Sequence, residues 1–430
     1  MSHDVLVLGA GPAGSVLARR LAAAGVRVAL LGAAHRPGLE GISDRTLALL
    51  AEEDMVTGAP LLQGPVVRHG RWAGRVVEGR EWLADRALLA EALRDRAVRA
   101  GADARRVVVT RVDRGKSACR LSTRDGEVLC APLLIDARGR RGKALRGPLL
   151  LAVGQRYRCH RGGPAGTRIE CIDFGWCWWA RQDGELWIQI VARPGQHHPS
   201  AWTTAAARQI PELAQLLEHA TPVGEPVACA AHARLGLDGN GEPMPQARPW
   251  LTGDSAVSLD PLSGQGIYQA IKSARLVATA ILSIMNGGDA QLARRFVVER
   301  HREDFERGVS LAAQFYRLNA VHGDFWLRTA KAYEALTAAT GRTGSKVQGI
   351  KRRPVLINGR IVERDVLVTA AHPRGVWQVS GVPLVELVRH LEANPGAAPK
   401  SAARHLGHPD RAIAAAMHWL ARVPEHPPGD

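Results

Sequence analysis

The chain has 430 residues, enough for two to three domains and a large core. Its apolar and charged fractions, 46% and 23%, are those of a soluble globular protein, and no stretch approaches the ~20 apolar residues that cross a bilayer. The net charge of +16 is spread along the whole chain, with arginine far outnumbering lysine. That distribution argues against a nucleic-acid module, which would carry a dense basic stripe, and leaves GC-rich coding or an acidic polypeptide partner as explanations.

In chain order, Asp4 to Leu8 reads as a buried strand, Ser15 to Ala24 as a helix and Val26 to Leu31 as a second strand. Between the first strand and the helix stands Gly9-Ala10-Gly11-Pro12-Ala13-Gly14. Gly9 permits the tight turn, Gly11 lets backbone approach a pyrophosphate, and Gly14 lets helix pack on strand, so this is a dinucleotide cradle. The acid expected near position 32, to hold a ribose hydroxyl, is replaced by Gly32, which predicts looser adenosine binding unless Glu40 substitutes. The N-terminus lacks a basic region and a cleavage site, so a cytoplasmic protein is expected. Six scattered cysteines without a CxxC pair predict reduced thiols and no metal site.

Asp85-Arg86 opens an amphipathic helix to Ala100, and Leu133 to Asp136 is an apolar strand continued by Ala137-Arg138-Gly139. Ala152 to Ala228 begins rich in β-branched and aromatic residues and reads as an inserted sheet. Trp250 to Ala256 contains Gly253-Asp254, and Asp260-Pro261-Leu262-Ser263-Gly264-Gln265-Gly266-Ile267 runs into a long helix. Ala274 to Leu318 is helical in pattern, and Arg360 to Val368 is strand-like. His372 to Val382 is irregular. Pro383 to Glu392, Lys400 to Leu406 and Asp410 to Arg422 read as three short helices, separated by Asn394-Pro395-Gly396 and Gly407-His408-Pro409.

In the order Gly9 to Gly14, Arg86, Asp136 to Gly139, Gly253-Asp254 and Pro261 to Ile267, the chain resembles the flavin-dependent hydroxylase and halogenase superfamily. The resemblance implies an α/β fold: a Rossmann-like FAD-binding domain of the para-hydroxybenzoate hydroxylase type, a β-sheet substrate domain and a C-terminal mostly helical domain. The expected boundaries are 1–151 with 229–300 for a discontinuous FAD domain, 152–228 for the substrate sheet, and 301–430 for a helical, winged-helix-like domain. It implies that Gly9, Gly11, Pro12, Ala13, Gly14, Arg45, Arg86, Asp136, Gly253, Asp254, Pro261, Gly264, Gln265, Gly266 and Ile267 hold FAD. Trp176 and Trp178, in Gly175-Trp176-Cys177-Trp178-Trp179, resemble the Gly-Trp-x-Trp stretch of halogenases and are expected on the substrate cleft. The residues alone favour plain core packing there.

Halogenases of this superfamily use an active-site lysine in the first quarter of the chain, and here the first lysine is Lys116. Their Ser-Thr-Gly halide element has no match at Ser263 to Gly266. Halogenation therefore stays only as a minor alternative, and what remains is oxygen insertion through a flavin C4a-hydroperoxide, or a plain flavin oxidase, with O2 as oxidant. No second GxGxxG is present, so NAD(P)H acting transiently, or reduced flavin from a partner, is the expected reductant. Arg45, Gln265 and Tyr268 are the candidate catalytic neighbours of the flavin. The length and the extra C-terminal segment are also similar to the flavoprotein monooxygenases of quinohaemoprotein amine dehydrogenase biogenesis. That resemblance implies a peptidyl tryptophan as substrate. A small phenol or indole hydroxylase and a non-catalytic flavin-bearing binding protein are the alternatives.

Overall fold

The computed structural model of the chain describes residues 3–33, 38–54, 61–115, 118–140, 144–159, 163–195, 198, 201–236, 250–340, 349–369 and 372–422. It divides into two compact units, Met1–Thr279 with Val298–Gly341, and Ala280–Val297 with Arg342–Asp430.

The first unit is built on a five-stranded parallel sheet. In spatial order its strands are Trp250–Leu251, Leu133–Asp136, Val5–Leu8, Val28–Leu31 and Asp103–Arg105. Val5, Leu6, Val7, Leu30 and Leu31 are wholly or almost wholly buried, as a parallel sheet covered on both faces requires. The helix Pro12–Ala23 starts with proline in its first turn, where no amide partner is lost, and the helix Arg86–Arg99 is capped by Asp85, whose carboxylate accepts from the amides of Ala87 and Leu88.

The same unit carries an eight-stranded sheet, ordered Ala220–Ala230, Leu151–Cys159, Glu185–Ala192, Gly175–Gln182, Gly166–Ile172, Leu62–Trp72, Arg75–Asp85 and Leu39–Ile42. Three of these strands lie between residues 39 and 85, before the 152–228 stretch expected to supply the sheet. Their signal is the hairpin turn Ala73-Gly74, both residues at positive φ, as a two-residue type I′ connection demands. One face packs on the helices Trp202–Ala207 and Pro211–Leu217 through Cys177, Trp179, Ile188, Ile190, Trp202 and Leu213. The other face carries Ala152, Val191, Trp176 and Ile169, whose core continues through Phe305, Tyr316, Phe325, Trp326 and Tyr333.

The long helical stretch expected from Ala274 to Leu318 is two helices, Gly266–Met285 and Ala290–Leu318, broken at Asn286-Gly287-Gly288-Asp289. The second runs through the boundary expected at residue 300, and its part from Val298 onward belongs to the first unit. The remainder of the second unit pairs Gly349–Ile357 with Arg360–Val368 across Asn358-Gly359. Helices Leu384–Ala393, Pro399–Leu406 and Asp410–Ala421 bury Leu384, Leu387, Ala402, Ile413 and Ala416 against one another. The stretch read as irregular, His372 to Val382, contributes two short strands, Gln378–Val379 and Val382–Pro383. Among the described residues no helix is long and apolar enough to cross a membrane, and no group of three or more His, Cys, Asp or Glu could hold a metal ion.

Candidate active site

A cleft of about 930 Å³ lies in the first unit, between the C-terminal ends of the parallel strands and the inner face of the eight-stranded sheet. Ligands in open α/β folds bind at this edge because helix N-termini converge there. Two do so here. The helix Pro12–Ala23 has Gly11 as its N-cap without a side-chain cap, so the amides of its first turn are left for a ligand. The helix Gly266–Met285 presents the first-turn residues Gly266 and Ile267 to the same space. Both ends favour negative charge.

Close backbone approach explains the glycines. Gly9, at φ +117°, lies against the carbonyl of Ala137, and a Cβ on Gly14 would collide with the carbonyl of Gly9. At Gly32 a Cβ would stand 2.6 Å from the Ala10 amide nitrogen and 2.8 Å from its Cβ. The missing ribose-binding acid thus has a steric cause. Glu40 lies on the cleft wall, and its carboxylate takes a 2.7 Å hydrogen bond from Arg86 Nε.

Of the expected cofactor residues, Gly9, Gly11, Pro12, Ala13 and Arg86 line the cleft, as do Asp254, Pro261, Gly264, Gln265, Gly266 and Ile267. Trp176 and Trp178 line its sheet side. Gly14 and Gly253 lie one layer beneath, where a Cβ on Gly253 would meet that of Ala13 at 2.6 Å. Asp136 also stands off the wall: it accepts from Arg138 at 2.7 Å and from the hydroxyl of Ser255 at 3.4 Å, so it shapes the loop after its strand.

Arg45 and Tyr268 are not on the wall. The Arg45 guanidinium stacks over the Tyr268 ring, 4.3 Å from its centroid. Ser43 caps the helix Asp44–Glu52 by accepting from the Thr46 amide, which turns Thr46 inward and leaves Arg45 exposed.

Sequence reasoning missed a buried polar cluster behind the 261–267 loop. Asp260, 2% exposed, accepts from Tyr333 at 2.7 Å, from Tyr316 at 3.2 Å and from the Leu262 amide at 3.0 Å. Trp176 Nε1 donates to Tyr316 at 3.2 Å, so a continuous line of hydrogen bonds joins the 261–267 loop to the tryptophan on the sheet side of the cleft. Burial pushes the Asp260 carboxyl up to about 6, and the tyrosine and amide donors oppose that rise. The two phenols come from the helices Ala290–Leu318 and Asp324–Thr340, and no local sequence signal ties them to residue 260.

A second buried chain supports Gly253. Its amide donates to Ser273 Oγ at 2.9 Å, and Ser273 meets His301 Nε2 at 2.9 Å. Burial depresses the His301 imidazole to about 4, so it is neutral at ordinary pH.

Residues 7–64 match the family described as NAD(P)-binding Rossmann-like domain. The geranylgeranyl diphosphate reductase of Rhodobacter capsulatus is 26% identical over 325 residues, 71% of this chain and 82% of that protein. Among solved structures, the peptidyl tryptophan dihydroxylase QhpG, essential for tryptophylquinone cofactor biogenesis, superposes with a TM-score of 0.81 at 28% identity, over 98% of this chain and 99% of its own. The FAD-dependent chondrochloren halogenase CndH superposes with a TM-score of 0.64 at 21% identity, over 80% and 92%. The chain is a flavin-dependent oxidoreductase. The enzyme has the hydroxylase and halogenase fold, and its cleft has the two helix ends and the glycine-lined floor that an extended dinucleotide needs.

Proposed function

We propose that the enzyme is an FAD-dependent monooxygenase that hydroxylates the indole ring of a tryptophan held in a polypeptide, as a step in building a tryptophylquinone cofactor. The observation that carries this reading is the end-to-end likeness to the peptidyl tryptophan dihydroxylase, over 98% of this chain with a TM-score of 0.81. The substrate we infer is a small partner subunit such as the γ subunit of quinohaemoprotein amine dehydrogenase. Electrons come from NAD(P)H or from reduced flavin supplied by a partner.

When bound and reduced, FAD supplies oxygen activated from O2. The chain's own residues do the rest. The helix end at Gly11 to Ala13 would hold the pyrophosphate, and Asp254, 3.2 Å from Arg140 Nε and on the cleft wall, would accept hydrogen bonds from ribityl hydroxyls. The Gly266–Met285 helix end presents its first turn and a positive dipole to the cleft, where they would favour negative charge on a bound flavin. Trp176 and Trp178 wall the opposite side and exclude water. The test is intact-mass analysis of the partner subunit incubated with enzyme, FAD, a reductant and labelled O2. Label mapped to a tryptophan is the expected result, and two atoms per chain would match a dihydroxylation. No label, with the flavin reduced and reoxidised, removes the peptide substrate and points to small aromatic compounds.

A further inference from the structure

Four carboxylates line the cleft, and three are already committed. Glu40 holds Arg86, Asp254 holds Arg140, and Asp260 takes two phenols and an amide. The fourth, Glu81, is 6% exposed, and no described cation pairs with it. One of its oxygens, Oε1, accepts from the Thr167 hydroxyl. The other, Oε2, fills the space over Gly41, where any Cβ would collide with it. Gly41 itself lines the cleft.

Glu81 also stands on the substrate side. In the strand Arg75–Asp85 it shares a face with Gly79 and Val77, two and four residues away. Gly70 pairs with Val77 on one side and Ile169 on the other, and Ile169 pairs with Trp178. One continuous face of the sheet therefore carries Glu81, Ile169 and Trp178 into the same cleft.

We propose that Glu81 is the residue that receives the N–H of the substrate indole and takes its proton during hydroxylation; this rests on the tryptophan reading above. An indole N–H only donates and a carboxylate oxygen accepts, and in a water-poor cleft each is costly unpaired. Oxygen insertion forms a C–O bond from a ring electron pair and leaves positive charge shared with the ring nitrogen. The N–H bond breaks, its electron pair stays on nitrogen, and the proton passes to Glu81. The oxidised carbon then loses its hydrogen as a proton to water, the C–H electron pair restores the aromatic ring, and Glu81 returns its proton to nitrogen. The O–O bond breaks, one oxygen atom stays on the ring, and the other leaves as water, taking up the proton lost from the ring; O2 is the oxidant and reduced FAD the electron donor, so no proton is released overall.

The test is equilibrium binding of indole and 1-methylindole to the FAD-loaded enzyme and to its Glu81→Gln and Thr167→Val variants, with flavin absorbance confirming cofactor content. The wild type is expected to prefer indole about tenfold, Glu81→Gln to lose that preference, and Thr167→Val to keep about threefold. Equal affinities in the wild type, or a preference that survives in FAD-loaded Glu81→Gln, overturn the assignment. Should Glu81→Gln fail to hold FAD, Thr167→Val decides: a full tenfold preference there overturns it. Labelled-oxygen transfer to the partner-subunit tryptophan is the second readout. Glu81→Gln should lose about 100-fold in product, with O2 released as peroxide, and Glu81→Asp should recover part of it. Product within threefold of wild type also overturns the role. A wild type that oxygenates nothing but binds indole through Glu81 rejects the hydroxylation reading and leaves the N–H acceptor in place.

Discussion

Asp260 and His301 are two buried groups whose burial pushes their pH dependence in opposite directions. Asp260 is raised from 3.8 to about 6, so the folded chain binds more protons than the unfolded one across that window. Its contribution to stability is complete below about 3.8 and is lost as pH rises through 6. His301 is lowered from 6.5 to about 4, so its contribution is complete above 6.5 and is lost as pH falls toward 4. Each is on the order of 3 kcal/mol. Thermal unfolding across pH 4 to 8 should show Asp260→Asn removing the decline on the neutral side and His301→Gln removing the decline on the acid side. Gly32 is the other residue with a sharp expectation. Restoring an acid there by Gly32→Glu drives a Cβ into the Ala10 backbone, so FAD affinity should fall by about tenfold or more, measured by titration of apoprotein. An increase in affinity would show that the loop yields and that the ribose contact outweighs the clash.

Among the elements, helix Arg86–Arg99 was legible because its cap, Asp85, stands directly before it in sequence. Asp85 satisfies two orphan amides, and Arg86 beside it reaches the cleft. Replacing Asp85 by Ala should cost about 1 kcal/mol and loosen FAD through Arg86, read as a lower melting temperature and a weaker titration. The hairpin Leu62–Trp72 with Arg75–Asp85 was not read, although its Ala73-Gly74 turn is a local signal. Its residues alternate imperfectly because one end is exposed while the other forms the cleft wall. Val76 and Val77 are 66% and 58% exposed, whereas Leu83 and Ala84 are 1%. An element that changes environment along its length shows no single hydrophobic period.

At the scale of the whole molecule, the +16 charge sets a field more than it sets the fold. If the substrate is an acidic polypeptide, its association rate should fall about tenfold or more between 50 and 500 mM salt. Binding of neutral indole should not change. Stopped-flow mixing of the two ligands with the same enzyme separates these outcomes, and a salt-insensitive polypeptide would leave the charge as a property of composition alone. The second unit has its own apolar centre at Leu384, Leu387, Ala402, Ile413 and Ala416, so those positions are occupied by its own folding.

The sequence by itself determined the dinucleotide cradle at Gly9 to Gly14, a local strand-to-helix turn in which glycine is required by backbone geometry. It also placed Pro261 to Ile267 as a loop running into a helix. Tertiary structure alone decided which residues share the cleft. Arg45 and Tyr268 are expected beside the flavin, yet neither lines the cleft, and the Arg45 guanidinium lies over the Tyr268 ring. Asp260, Tyr316 and Tyr333 are separated by up to 73 residues and meet only where two helices cross behind the loop. Glu81 faces the cleft because strand pairing carries its face across to Trp178. Backbone requirements are written in neighbouring residues, whereas a buried polar contact depends on where distant elements pack.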